Sequence, residues 1–150
     1  MGKEVFVSQE ERTMAALAHA SILVGVLTSG VGGIFAAMLI WLTQRDKSAY
    51  AAYQALQALV YQTSVLFLAA IGFCLWGAVF TLTIVPPMLA NPELYQYSPP
   101  PTIWLGMSML IFPCGLWLIT VLYGVWGAFR TYSGDDFKYI VIGRLLDNGE

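Results

Sequence analysis

The sequence predicts an all-α integral membrane protein: a four-helix bundle whose first two helices form a short hairpin, with interfacial amphipathic segments before the third span and at the C-terminus. Three observations predict it. Of 150 residues, 58% are hydrophobic and 11% charged, whereas a soluble domain carries roughly 25% charged residues, so lipid has to supply part of the solvent. The charges are segregated as well. Arg45, Asp46 and Lys47 are the only formally charged side chains between Arg12 and Glu93, and a Lys or Arg at mid-bilayer costs about 2.5–3.5 kcal/mol. Finally, glycine and proline clusters cut the apolar runs into pieces of helix length.

The first helix is predicted to start near Gln9, because Ser8-Gln9-Glu10-Glu11 fits a capping box with Ser8 as N-cap. Thr13 to Thr43 has no formal charge. As one helix it would reach roughly 45 Å at 1.5 Å per residue, past a hydrocarbon core of about 30 Å. The run Ser29-Gly30-Val31-Gly32-Gly33 breaks it into spans of about 13–29 and 31–43. Both are short, so the pair either crosses with local thinning and tilt or re-enters without reaching the far face. Ala16 and Ala20, with Ser21, Gly25 and Ser29, fall along one side of the first span as a helix-packing face.

After the charged tripeptide, Ser48 is a candidate N-cap and Tyr50, Tyr53, Gln54, Gln57, Tyr61 and Ser64 recur at helical spacing. That polar-aromatic stripe is expected at the headgroup level or against another protein. The third span, about 57–85, should end at Pro86-Pro87. Pro86 to Pro101 reads as a stiff, partly polyproline connector. The fourth span, about 102–129, contains Pro113, which should kink it, and the small pair Gly124 and Ala128 for packing. The tail turns at Ser133-Gly134-Asp135-Asp136; its Phe137, Tyr139, Ile140, Val141, Ile142, Leu145 and Leu146 alternate with Lys138 and Arg144 as an interfacial segment.

With four spans, Lys3, Arg12, Arg45, Lys47, Arg130, Lys138 and Arg144 fall on one side. The positive-inside rule then places both termini and the 45–47 connector in the cytoplasm, with Arg12, Arg45, Lys47 and Arg130 as membrane-surface anchors. Residues 1–150 are read as a single membrane domain. The N-terminus lacks the pattern of a cleaved secretory signal, and Phe6 stands where a myristoylation motif after Gly2 wants Ser or Thr.

The run ERTMAALAHAS, the glycine turn, then LIWLTQRDKSAYAAYQALQALVYQ and the tail RTYSGDDFKYIVIGRLL resemble the small bacterial relatives of the Tic-twenty family, a component of the chloroplast inner-envelope import machinery. The resemblance implies a four-helix fold in a bacterial inner membrane and suggests a translocation or small-solute channel.

Several chemistries find no foothold in the sequence. Basic residues are scattered, which argues against nucleic acid. No carboxylate lies at membrane depth, and no phosphate-binding loop, nucleophile elbow or HExxH pattern occurs. Cys74 and Cys114 are expected to be buried, reduced thiols. His19, the single histidine, is the one conceivable haem or metal ligand, but it lacks partners. The expectation is therefore a protein that is not an enzyme, with no cofactor, no metal and no identified soluble substrate. Its partners would be the lipid bilayer and other integral membrane subunits. The leading reading is an accessory subunit of a larger membrane complex, with an electron-transport or energy-converting machine as the first host. The interface expected for it comprises Ala16, Ala20, Gly25, Tyr53, Gln54, Gln57, Tyr61, Gly124 and Ala128. The alternatives are the channel component, with Gln54, Gln57 and Tyr61 near a polar path, and a minimal haem or quinone protein built on His19.

Overall fold

The computed structural model describes residues 7–97, 99 and 101–147. The readings made on Gly2, Lys3 and Phe6 lie outside the described residues, as does the Leu145 side chain. Helices α1 (Gln9–Ala20), α2 (Ile22–Leu27), α3 (Val31–Gln44), α4 (Ala49–Ala90), α5 (Pro92–Tyr97), α6 (Pro101–Ser108), α7 (Ile111–Tyr132) and α8 (Ile142–Asp147) follow in order. No strand occurs among the described residues. The chain divides into two compact units. One holds the described residues up to Leu66 and from Thr120 onward; the other is Phe67–Ile119.

The first unit opens on the capping box. The Ser8 N–H donates to the Glu11 carboxylate at 2.8 Å, and the Glu11 N–H donates to Ser8 Oγ at 3.2 Å. The same carboxylate accepts from Ser48 Oγ at 2.7 Å. Ser48 Oγ in turn caps α4 by accepting the Ala51 N–H at 3.1 Å. One carboxylate thus ties together the starts of two helices. The hydrogen bond from Ser48, followed by those from Ser8, holds the Glu11 carboxyl below its ordinary value of 4.5. Because the folded value is the lower one, this stabilisation is present above the ordinary value and is lost as pH falls through the lowered one. Wild type is expected to melt above Glu11→Gln at neutral pH, with the gap closing once the pH drops below 4.5. A gap that is independent of pH in a detergent melting series would refute the link.

The first apolar stretch is not the single helix expected over 13–29. It is interrupted at Ser21, whose Oγ lies 2.7 Å from Ala18 O and 3.0 Å from Gly33 O, a side chain competing with the helix for its own carbonyls. The predicted glycine break is present: α2 ends at Leu27 and α3 starts at Val31. Gly30 turns the chain at φ +92°, where glycine carries no Cβ penalty, while Ser29 takes φ +53°. Ser29 is exposed in this turn and takes no part in the small-residue face. Gly25 lies against Gly30 and Gly33, so α2 and α3 approach at backbone distance. At 14 residues, α3 spans about 21 Å, short of a hydrocarbon core of about 30 Å. The centre of the unit is an alanine cluster, Ala18, Ala37, Ala55 and Ala58, flanked by Ile40, Trp41 and Leu59.

The second unit contains the later part of α4, the short helices α5 and α6, and the start of α7. Pro86-Pro87 does not stop α4, which runs on to Ala90. The residues after the prolines keep their own N–H groups, and the Asn91 N–H still closes on Pro87 O at 3.1 Å. The expected polyproline connector is also partly helical. Pro92 and Pro101 occupy the first positions of α5 and α6, where a missing N–H costs nothing. Pro113 has an effect one turn upstream: the helix is interrupted at Met109–Leu110, where the Met109 carbonyl, denied an N–H by Pro113, accepts from the Phe112 N–H at 3.2 Å instead. The Trp76 indole N–H donates to Gly106 O at 3.0 Å and its ring stacks on Phe80. Cys74 and Cys114 are free, as expected, but exposed rather than buried, because each falls on an outward face of its helix.

By length and composition, Ala49–Ala90 and Pro101–Tyr132 can each cross a membrane. Their most apolar windows lie on the molecular surface instead of in a protein core. Leu75, Leu82 and Phe112 are 63%, 73% and 73% exposed, which in water would leave a large uncovered apolar surface.

Candidate functional site

The polar side chains of the first unit converge where its C-terminal tail folds back. The face of α4 carrying Tyr53, Gln54, Gln57 and Tyr61 meets the chain's own tail. Gln54 and Gln57 are completely buried, because they bind the tail's backbone. Gln54 Nε2 donates to Phe137 O at 3.0 Å and to Asp136 Oδ1 at 3.3 Å. Gln57 reads the same extended segment from both ends: its Nε2 reaches Phe137 O at 3.5 Å, and its Oε1 accepts the Tyr139 N–H at 3.2 Å. A carboxamide offers one acceptor and one donor group, as a neighbouring strand would.

His19 stands at the base of this slot, fully buried. Its Nε2 lies 3.0 Å from Gln54 Oε1 and its Nδ1 lies 3.0 Å from the Tyr139 hydroxyl. With the Gln54 amide group committed to Phe137 and Asp136, its oxygen can only accept, so His19 carries its proton on Nε2. Nδ1 is then the acceptor for the Tyr139 O–H. Burial pushes the Tyr139 phenol well above its ordinary 10, so this hydroxyl keeps its proton and acts as the donor. Both imidazole nitrogens are occupied by protein groups, an arrangement that does not suit the haem or metal ligand considered from sequence. Among the described residues no group of three or more His, Cys, Asp or Glu is placed to hold a metal ion.

Aromatic rings close the slot. Tyr139 stacks on Tyr61 with ring centroids 4.0 Å apart and 10° between planes. Tyr123 meets Tyr61, Phe137 and Tyr139 edge-on at 5.9, 5.8 and 5.4 Å, and His19 meets Phe137 edge-on at 5.5 Å. These are the offset and edge-to-face geometries that aromatic quadrupoles favour. The Tyr61 hydroxyl is used separately, donating to Thr120 O at 2.8 Å. The tail is therefore not wholly interfacial. Tyr139 and Ile142 are buried, whereas Ile140 and Val141 face outward.

Other residues singled out from sequence are placed as follows. Ala16 is buried and Ala20 half-buried. Gly124 lies beneath the Ile22 side chain and Ala128 is buried one turn on. Tyr53 sits under the Lys138 ammonium at 5.5 Å. Arg45 and Lys47 are exposed, and Arg45 pairs with Asp46 at 3.4 Å in a solvated contact of little energetic weight. Arg130 is exposed and pairs with Asp135 at 3.0 Å. Arg12 is half-buried with its guanidinium against Gly134, and its Nε has no hydrogen-bond partner. Sequence reasoning did not find Phe137, Tyr139 and Asp136 as parts of the site. It also missed Gly127, which leaves room for the Phe137 ring. The available signal was that two glutamines on a helix face with Tyr61 need buried polar partners from somewhere.

Fold and site together define an all-helical protein with two helices able to cross a membrane and a buried polar-aromatic slot filled by its own tail. Residues 10–146 match the magnetosome magnetite crystal formation protein family. The chain belongs to this family, MamF/MmsF. No curated protein and no solved structure matches it. The family match overturns the resemblance to the Tic-twenty relatives. The residues that carried that resemblance serve the capping box, the alanine cluster and the His19–Gln54 contact. Such demands arise in any close-packed helical membrane unit, so these residues do not distinguish the two families. The electron-transport host expected from the sequence also finds no support in the match.

Proposed function

We propose that the chain is a non-catalytic, multi-pass bacterial membrane protein that supports magnetite crystal formation as a structural or accessory component of the magnetosome membrane. The family match over residues 10–146 carries this reading. A structural part is supported by the His19 and Gln54 contacts, which commit the polar groups of the slot to the chain's own tail. The channel alternative loses its polar lining for the same reason. The spans are those of the sequence reading, about 13–29, 31–43, 57–85 and 102–129. The hairpin leaves and rejoins the cytoplasmic face, and Arg12, Arg45, Lys47 and Arg130 anchor the chain at that face. Other integral membrane subunits cover part of the exposed apolar helix faces.

Deletion of the gene is expected to change the size or number of magnetite crystals seen by electron microscopy, with recovery on re-expression of the wild-type chain. Unchanged crystals would remove the reading. Orientation is checked separately in a Cys74→Ala/Cys114→Ala background. A membrane-impermeant maleimide should label Lys47→Cys from the cytoplasmic side and Glu93→Cys from the opposite side.

A further inference from the structure

We infer that Tyr139 is a one-electron redox site, with His19 as its proton acceptor and Tyr61 and Tyr123 as the route by which the electron leaves. Four features of the slot carry this. The Tyr139 hydroxyl donates to a neutral imidazole nitrogen at 3.0 Å, within the range over which a proton passes along a hydrogen bond. The imidazolium formed by that transfer is already provided for: its Nε2–H faces Gln54 Oε1 at 3.0 Å, and Gln54 in turn faces the Asp136 carboxylate. The ring lies parallel to Tyr61 at 4.0 Å, where a phenoxyl radical is shared between two π-systems. Lastly, Tyr139 is only 2% exposed, so no bulky oxidant can take its hydrogen atom by contact.

Burial therefore separates the two particles. The electron departs through Tyr61 or through Tyr123, which is half-buried and 5.4 Å away. The phenolic proton moves to His19 Nδ1. The O–H bond breaks, the N–H bond forms, and Tyr139 becomes a neutral phenoxyl radical beside an imidazolium. The acceptor is an outer-sphere one-electron oxidant of the peroxyl-radical class. It is reduced to the peroxide anion, which takes its proton from water. A thiol-class one-electron reductant returns the electron, and the proton goes back from His19 to the phenolate oxygen. A phenylalanine at 139 would fill the same stack without this chemistry, and that difference is the handle for a test.

The full chain in detergent is oxidised by flash-generated ruthenium(III) tris-bipyridine, and the phenoxyl radical is followed by its near-ultraviolet absorption and by EPR with ring-deuterated tyrosine. The expected result is a radical signal that is lost in Tyr139→Phe, retained when the exposed Tyr132 is changed in Tyr132→Phe, and formed more slowly in D2O than in H2O. An equal signal in Tyr139→Phe, or formation insensitive to D2O, would overturn the assignment. Should Tyr139→Phe lose its helical circular dichroism, the wild-type isotope comparison and the Tyr132→Phe spectrum still decide. These readouts require no iron, so their failure is separate from a failure of the crystal-formation reading.

Discussion

Gly33→Ala is expected to destabilise the chain by about 1–3 kcal/mol, the range for forcing one extra carbon into a well-packed site. A Cβ at residue 33 would strike Gln62 Oε1, come within 2.7 Å of Ser21 O and within 3.1 Å of the Gly25 Cα. Two of those three neighbours are backbone and cannot swing aside. The Gln62 side chain is not free to yield either, since its Nε2 holds Ala18 O at 3.2 Å and Ser21 Oγ at 2.9 Å. Its Oε1 has no conventional hydrogen-bond partner and lies against Gly33, the kind of approach in which a Cα–H acts as a weak donor. Substitution would push apart the hairpin and the helix that supports it. Gly77→Ala and Gly115→Ala are the controls: nothing lies within 4 Å of a Cβ at either position, so each is expected to be neutral or to add about 0.5–1 kcal/mol through helix propensity. Thermal unfolding in detergent ranks the three, and Gly33→Ala melting alongside the controls would show that the close approach carries no energy.

The contrast shows which features of the fold were legible in the sequence. Local features were: the capping box at Ser8, the glycine turn at 29–30 and the interruption upstream of Pro113 each follow from a few neighbouring residues whose geometry is set by short-range sterics and hydrogen bonding. Pro86-Pro87 misled because proline's cost depends on which carbonyl it faces and on what the following residues can still donate. Pro92 and Pro101 misled for a related reason, since the same ring that breaks a helix interior is accommodated at its first position. The site was only half legible. Spacing put Gln54, Gln57 and Tyr61 on one face of α4, but no local rule says what that face meets. Its partners lie some 80 residues downstream, at Phe137 and Tyr139.

The cysteines teach the same lesson from the opposite side. An apolar run in a water-soluble protein implies burial, and that logic placed Cys74 and Cys114 inside. In a chain solvated by hydrocarbon, apolar residues face outward and the polar ones are gathered in. Among the described residues, the largest completely buried side chains are accordingly His19, Gln54, Gln57 and Thr131, with alanines forming the cluster beside them. Inverting the usual inside–outside expectation would have pointed from the glutamines to a buried polar partner, though not to which one.

Gln54→Leu is expected to have the second large effect, releasing the tail. Leucine matches the volume but leaves the His19 Nε2–H facing hydrocarbon, and each buried polar group stranded in this way costs about 1–3 kcal/mol. The Phe137 carbonyl keeps only the longer contact from Gln57 at 3.5 Å, and Asp136 loses its Gln54 donor. The backbone of 136–139 is then held chiefly by the Gln57–Tyr139 bond and by ring packing. Trypsin should cut after Lys138 and Arg144 at least about tenfold faster than in wild type, since about 1.4 kcal/mol of lost protection raises the open population tenfold. His19→Leu alone should act in the same direction by stranding Gln54 Oε1 and the Tyr139 hydroxyl. The double substitution His19→Leu/Gln54→Leu removes both ends of the bond and should cost less than the sum of the singles, the signature of directly coupled groups. Strict additivity across the cycle would mean that the His19–Gln54 bond does not hold the tail, and the slot would then owe its shape to the stacked rings alone.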